Sequence, residues 1–496
     1  MHSERRLGAA AAPAVMSMRS RTPRPAVRVM LLGAAGWAAL MPAILLAAEH
    51  STSAPPPRPA DALLESLEPD ALRDLARETL ERNPELARAR HHAAARAVRA
   101  PQVRSLPDPV AALTWFVLPP ETRVGPQRLS IAVRQAIPWL AGLEAREQAA
   151  LWAAAAAEAE LESRRLQVLT ELRRLVIERS FADLQSLIVR AERDTLARYE
   201  EAAQARYSVG TGLQQEVVRI QSQITEVDRR ELEIAQRRVG LSASLNALRD
   251  RPATAEIPAF GLPLPRAPSR LASFDAAELA ERAERRRPEL AAARARLAEA
   301  EAHVDVATAG FRPGFEVGVA YTAVDGRGGA GAPADDGDDV LALTGGLRLP
   351  VRRARLEAAL EQALAEQRAA DAGLRGTVRE VESKIGDLVA RLPLLHDQWQ
   401  LLAKVLGVQA RESLSSAESA YTTGRLNAVD LLDAEVLQLE VRIGVARTRA
   451  DFAIAHAHLE AAVAAPISLV DPVSGETFES DSTDPDPAST PGGSGR

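Results

Sequence analysis

The sequence contains a stretch of 67 residues without glycine or proline, from Leu143 to Val209, which reads LEAREQAALWAAAAAEAELESRRLQVLTELRRLVIERSFADLQSLIVRAERDTLARYEEAAQARYSV. Nearly all of its residues favour helices, and one continuous helix of this length would extend about 100 Å. An average globular helix has only about 11 residues, so this one does not suit the interior of a compact domain. A turn signal follows at 207–212, and a second helical pattern runs from Leu213 to about Asp250. The stretch therefore predicts a long helical hairpin.

The composition favours long helices over a thick aromatic core, because aromatic residues make up only 3% of the 496-residue chain. The formal net charge of −6 is small, which argues against nucleic acid as the main partner. The chain has no cysteine. This excludes a disulfide framework, a thiolate metal site and a lipid-anchored N-terminal cysteine.

Residues 1–48 are typical of a secretory signal peptide. Arginines at positions 19, 21, 24 and 28 precede an apolar run from Val29 to Ala48 that ends in two alanines. The alternative is an uncleaved anchor, because about 20 apolar residues are long enough to cross a bilayer. Pro42 interrupts the run and favours the cleaved signal peptide. Residues 49–60 are predicted to form a flexible linker.

The mature chain contains an internal repeat. Asn83-Pro-Glu-Leu-Ala-Arg-Ala-Arg90 matches Arg287-Pro-Glu-Leu-Ala-Ala-Ala-Arg294, and Tyr207-Ser-Val-Gly210 matches Tyr421-Thr-Thr-Gly424. Each Pro-Glu-Leu is predicted to open a helix, because proline is tolerated in the first helical turn.

The repeat divides the chain into residues 61–265 and 266–465. Each part gives a short helix, an extended segment and a long helical hairpin, the hairpins lying at 142–250 and 352–465. The second long helix contains Pro393, where we expect a kink because proline removes an interior hydrogen bond. Residues 466–496, with a tail rich in Asp, Ser, Pro and Gly, are predicted to be disordered.

The extended segments, residues 108–137 and 314–350, are predicted β-hairpins because apolar residues alternate with small or polar ones. Strands of about ten residues with this pattern suit a membrane barrel, although a soluble half-buried hairpin gives the same alternation. Four strands cannot close a barrel, and open sheet edges are not tolerated in lipid. Strands that cross a membrane must then be completed by other copies of the chain. The predicted fold is mainly α with a β membrane part, in which helical hairpins form a tube below a joint barrel.

The chain from about Asp61 to Ala465 resembles the TolC-like outer-membrane efflux channel family. The most specific part is the pair of turns quoted above, followed by Val429-Asp-Leu-Leu-Asp-Ala434. Leu106-Pro-Asp-Pro109 and Gln135-Ala-Ile-Pro-Trp139 look most similar to members that serve heavy-metal efflux pumps.

The resemblance implies a homotrimer with a 12-stranded β-barrel embedded in outer-membrane lipid and a helical tube in the periplasm. It also implies two partners, a periplasmic adaptor (membrane fusion) protein and an inner-membrane pump of the RND type. The implied function is a passive duct that carries metal cations or small toxic compounds out of the cell. The alternatives are a duct for type I protein secretion and a non-channel periplasmic coiled-coil protein whose β-hairpins are soluble.

The two turns are the candidate periplasmic aperture. Glu216 and Asp430 each lie six residues after the glycine of a turn, Gly210 and Gly424, and Asp433 lies on the same helix face as Asp430. By resemblance, acids at positions 430 and 433 form the narrowest ring of the closed channel, a constriction that attracts cations. The alternative is that acids in a first helical turn only complement the helix dipole.

The candidate gate residues in the turns are Tyr207 and Tyr421 with the two glycines and Arg425. Tyr421 matches a tyrosine that helps to hold the family's closed state. The partner arginine is not matched, because Leu426 stands at its position and Arg425 lies one residue earlier, about 100° away on a helix.

No motif for nucleotide, ester or peptide hydrolysis is present, so the sequence predicts no enzyme activity and no cofactor. His91, His92, His456 and His458 are interpreted as surface histidines, and no metal site is predicted.

Overall fold

The computed structural model describes residues 58–257, 268, 271–329, 331 and 333–469. The chain divides into two units, Met1–Pro56 and Pro57–Arg496, and all described residues belong to the second. The predicted signal peptide, most of the predicted linker and the predicted disordered tail beyond residue 469 lie outside the described residues.

The described residues form helices and strands in the order that the repeat predicts. In the first repeat these are α1 (Pro59–Glu65), α2 (Asp70–Arg82), α3 (Pro84–Ala97), α4 (Arg99–Arg104), β1 (Val110–Trp115), β2 (Glu121–Thr122), β3 (Gly125–Ile137), α5 (Leu140–Ser208) and α6 (Gln214–Leu248). In the second they are α7 (Ala276–Arg286), α8 (Pro288–Ala309), β4 (Gly314–Val324), β5 (Val340–Arg348), α9 (Arg353–Gln400), α10 (Gly407–Thr422) and α11 (Ala428–Val463).

Helix α5 is continuous over 69 residues, as the absence of proline and of interior glycine beyond its first turn predicts. The predicted fold class is confirmed, since long helices accompany a four-stranded antiparallel path of strands. Within the described part of the chain, no helix has both the length and the apolar character needed to cross a bilayer.

The second long helix is interrupted by a π-helical segment that the sequence did not indicate. Pro393 lies inside α9, and the α-helical pattern ends only at Gln400. A π-helical segment, Leu401–Leu406, then joins α9 to α10. The stretch from Arg353 to Thr422 is one residue longer than α5, and a π-helical turn is the usual way to accommodate one extra residue.

Short helices pack against the long ones in equivalent positions of the two repeats. In the first repeat, Leu63 and Leu75 of α1 and α2 pack against Leu172 of α5. In the second, Leu279 of α7 packs in a cluster with Ile385 of α9. These side chains are almost fully buried, and each such burial contributes about 1.5–3 kcal/mol.

The two predicted β-hairpins join in one antiparallel sheet with the strand order β1-β3-β4-β5, and the short β2 pairs with the start of β3. The register aligns residues of like character across the strands. One face carries the row Leu113, Ile131, Tyr321 and Leu341, and the other carries the row Ala112, Ala132, Ala320 and Ala342. The sheet is therefore amphipathic, and its apolar side chains are exposed in the single chain.

Candidate functional site

The two helical hairpins turn in the same way. Gly210 and Gly424 adopt positive φ angles of 79° and 73°, a conformation that favours glycine at the end of a helix. The backbone N–H of Gly210 donates to the carbonyl of Tyr207, and that of Gly424 donates to the carbonyl of Tyr421, each at 3.0 Å. The repeated Tyr-x-x-Gly pattern thus gives two equivalent turns.

A hydrophobic cluster holds the two turns together, and we call it the tip cluster. It joins helices from both repeats, namely Leu196 and Ala203 of α5, Val217 and Ile220 of α6, Tyr421 of α10 and Leu431 and Leu432 of α11. All of these side chains are buried. The packing therefore fixes the turn of the first repeat beside the turn of the second.

Asp430 and Asp433 are both exposed on the first turns of α11. The helix is capped by Asn427, whose side-chain oxygen accepts a hydrogen bond from the backbone N–H of Asp430 at 3.0 Å. Because Asn427 already fills the capping position, neither carboxylate serves as the cap. Two carboxylates are thus presented on one surface, where they can attract cations.

Glu216 lies in a different environment from the two aspartates. It is half-buried in the first turn of α6, and its Oε2 atom is buried without a hydrogen-bond partner among the described residues. Its charge acts on Tyr421 of the second turn. Burial raises the pKa of the Tyr421 hydroxyl, the charge of Glu216 raises this pKa further, and Arg206 opposes the shift.

Arg206 of the first turn contacts Tyr421 of the second, a contact that the sequence did not reveal. Its guanidinium carbon lies 4.8 Å from the centre of the Tyr421 ring, and Nη1 donates to the Tyr421 carbonyl at 3.4 Å. A cation over an aromatic face is attracted by about 0.5–1 kcal/mol at partly exposed sites. We call this contact the turn clasp.

The other candidate gate residues are not brought to the clasp. Tyr207 is 46% exposed, whereas its repeat equivalent Tyr421 is 3% exposed. Arg425 is exposed and donates from Nε to the hydroxyl of Thr423 at 3.0 Å. Leu426 packs against the tip cluster. The arginine beside Tyr421 therefore comes from the other repeat, and its only sequence signal is that Arg206 stands where the second repeat has Ala420.

Outside the turns, the histidines differ in environment. His91 and His92 are exposed, as expected. The interpretation as a surface residue is wrong for His456, whose Nε2 is 3.0 Å from the carbonyl oxygen of Ile467. Burial lowers the pKa of His456, so the neutral form is favoured. The described residues contain no group of three or more His, Cys, Asp or Glu side chains arranged to hold a metal ion.

A protein-family model matches part of the chain. Residues 279–465 match the family model described as outer membrane efflux protein. This range contains the second turn, Asp430 and Asp433. No curated protein matches the sequence.

Solved structures show the same fold over most of the chain. The outer membrane protein VceC from Vibrio cholerae is 22% identical with a TM-score of 0.66, over 80% of this chain and 97% of VceC. The open state of the Neisseria gonorrhoeae MtrE outer membrane channel is 20% identical with a TM-score of 0.65, over 80% of this chain and 89% of MtrE. The outer-membrane channel OprN is 18% identical with a TM-score of 0.69, over 80% and 90% of the two chains. At these identities the similarity establishes the fold.

Proposed function

We propose that this chain, an outer membrane efflux protein by its second repeat and TolC-like in fold, is the outer-membrane channel of a tripartite efflux system. It conducts substrates passively from the periplasm to the outside and performs no chemistry of its own. The observation that carries this proposal is the amphipathic sheet, which ends in open edges and lies on helical hairpins far longer than a globular domain contains.

The sheet is suited to lipid on one face and to water on the other. Leu343 is 82% exposed and Leu113 is 70% exposed, and both belong to the apolar face. A soluble sheet would bury such a face. The opposite face is built of small and polar residues, which suits the lumen of a channel.

The open edges of β1 and β5 require completion by further copies, because unpaired backbone groups are not tolerated in the bilayer. We propose a homotrimer, in which three four-stranded sheets close a 12-stranded barrel in outer-membrane lipid. The helical hairpins then form the tube in the periplasm. A periplasmic adaptor and an inner-membrane pump of the RND type are the proposed partners, and they select the substrate, whether metal cations or small toxic compounds.

The junction of sheet and helices has the composition of a membrane interface. The guanidinium carbon of Arg312 lies 6.0 Å from the ring centre of Trp139, and that of Arg353 lies 5.7 Å from the ring centre of Phe311. Aromatic side chains are enriched where hydrocarbon meets water, and arginine can reach the headgroups from there. We therefore propose that the inner edge of the outer membrane lies at this junction.

The two turns are the proposed gate at the periplasmic end. In a trimer, three copies of Asp430 and Asp433 would surround one axis and form a ring that attracts cations. The turn clasp and the tip cluster would hold each pair of hairpins in the closed arrangement. Glu216, beside Tyr421, would support the clasp rather than the ring.

Fractionation and bilayer recording test the function. The full chain, expressed with its N-terminal segment, is expected in the outer-membrane fraction, with a band on denaturing gels that shifts on heating. The purified protein is expected to form ion-conducting pores in planar bilayers. Recovery in the soluble periplasmic fraction, with no conductance, would instead support the non-channel coiled-coil alternative.

A further inference from the structure

Two glutamates are buried where the first and second helical hairpins meet. Glu192 of α5 is 3% exposed and Glu435 of α11 is 4% exposed. Their carboxyl groups lie within hydrogen-bonding reach of each other. An ionised carboxylate only accepts hydrogen bonds, so a bond between two carboxyl groups requires that one of them carries a proton. The Oε2 atom of Glu435 is buried without a hydrogen-bond partner among the described residues.

Charged and titratable groups from four helices face this pair. On α5 they are Arg198 and Tyr199, on α6 Arg230, on α10 Glu418 and on α11 Arg442. The three arginines favour ionisation of the pair, whereas Glu418 opposes it. Glu418 is itself held in place, because it accepts a hydrogen bond from the Tyr199 hydroxyl at 2.5 Å.

Burial raises the pKa values of the two glutamates by more than the arginines lower them. Burial and the neighbouring Glu435 raise the pKa of Glu192 to about 8, and burial raises the pKa of Glu435 to about 7. The unfolded chain loses these protons near pH 4.5, whereas the folded chain keeps them up to these raised pKa values. The contribution of the pair to stability is therefore full below pH 4.5 and is lost as the pH rises through about 7 and 8.

The pair lies next to the proposed aperture. Glu435 follows Asp433 by two residues, so the two side chains point about 200° apart on α11. Asp433 is exposed, whereas Glu435 is buried against α5. Any displacement of α11 from α5 at Glu435 therefore moves the carboxylate of Asp433.

We propose that Glu192 and Glu435 form a proton-binding site that joins the two helical hairpins and holds the aperture in its closed arrangement. When the site loses its proton, two negative charges remain in a buried space and repel each other, which drives α11 away from α5. This inference rests on the proposed channel function, because the aperture is the element that responds.

The test compares Glu192→Gln with Glu201→Gln in the full chain, reconstituted in planar bilayers between pH 6 and pH 9. The glutamine amide can donate to Glu435 at any pH, so it mimics the protonated state. Glu201 is an exposed acid on the same helix and serves as the matched control. We expect single-channel conductance of the unaltered protein and of Glu201→Gln to rise with pH, and Glu192→Gln to lose this rise.

The possible outcomes distinguish a failure of the proton-site proposal from a failure of the proposed channel function. If all three proteins conduct with the same dependence on pH, the proton-site proposal is wrong and the channel function stands. If none of the three conducts, the channel function fails.

A second measurement on the purified proteins then tests the site itself, whether or not they conduct. Infrared spectroscopy at pH 7 should show a protonated carboxyl band that is weaker in Glu192→Gln than in Glu201→Gln. Equal bands in the two variants would overturn the proposal.

Discussion

The exposed carboxylates of Asp430 and Asp433 lie one helical turn apart, and Asn427 already caps their helix. If they form the constriction, Asp430→Ala combined with Asp433→Ala should raise single-channel conductance and weaken block by divalent cations, because the ring loses its charge. Asp194→Ala, which removes an exposed acid from α5, is the control and should leave both properties unchanged. Unaltered currents in the double variant would place the constriction elsewhere.

The turn clasp makes a second prediction at the residue scale. Arg206→Ala removes a cation–π contact of about 0.5–1 kcal/mol, so the ratio of open to closed channels should rise about two- to fivefold. Arg425→Ala is the matched control, since Arg425 contacts Thr423 and not the tyrosine. Open probability in bilayer recordings measures both variants. An equal effect of the two substitutions would exclude a specific role for the clasp.

The sequence predicts the positions of residues within one helix but not the contacts between residues of different hairpins. The shared helix face of the two aspartates could be predicted because it follows from their spacing within one helix. Arg206 and Tyr421 are 215 residues apart, and their contact depends on how two hairpins pack. The same holds for Glu192 and Glu435, which belong to different repeats. Each looks like an ordinary charged helical residue until the fold brings the pair together.

At the scale of elements, neighbouring residues of β5 face different environments in the proposed channel. Leu343 belongs to the apolar face and Thr344 to the opposite face, and both are exposed in the single chain. Leu343→Arg should cost about 2–4 kcal/mol in a bilayer and reduce the fraction of heat-modifiable, folded protein. Thr344→Arg places the same charge toward water and should fold normally. If both variants fold equally well, this sheet does not face lipid.

The long helices could be predicted to within about three residues, because composition and turn signals act locally. The irregularity of the second long helix could not be predicted from the sequence. Proline draws attention to position 393, yet the π-helical segment begins at Leu401. Composition carries no signal for this segment, because its residues are ordinary helix formers.

At the scale of the whole molecule, the open edges of β1 and β5 must meet between subunits if the barrel closes. The chain contains no cysteine, so introduced cysteines can pair only with each other. Cysteine at Ala112 of β1, combined in turn with cysteine at Val340, Ala342 or Thr344 on the same face of β5, should give covalent dimers and trimers on non-reducing gels for at least one register. Each single-cysteine variant at these β5 positions, or at Ala112, should give no covalent trimer. Trimers absent from every combination would argue against closure through these edges.

The unequal exposure of Tyr207 and Tyr421 has a consequence for the symmetry of the assembled aperture. Two similar turns per subunit would, in a trimer, form an approximately sixfold ring. The clasp involves the turns unequally, because Tyr421 lies beneath Arg206 whereas Tyr207 is exposed. The ring is then only threefold, with two alternating kinds of turn. Breaking three clasps, one per subunit, would let the two turns of each subunit separate, so the opening would keep its threefold symmetry as it widens.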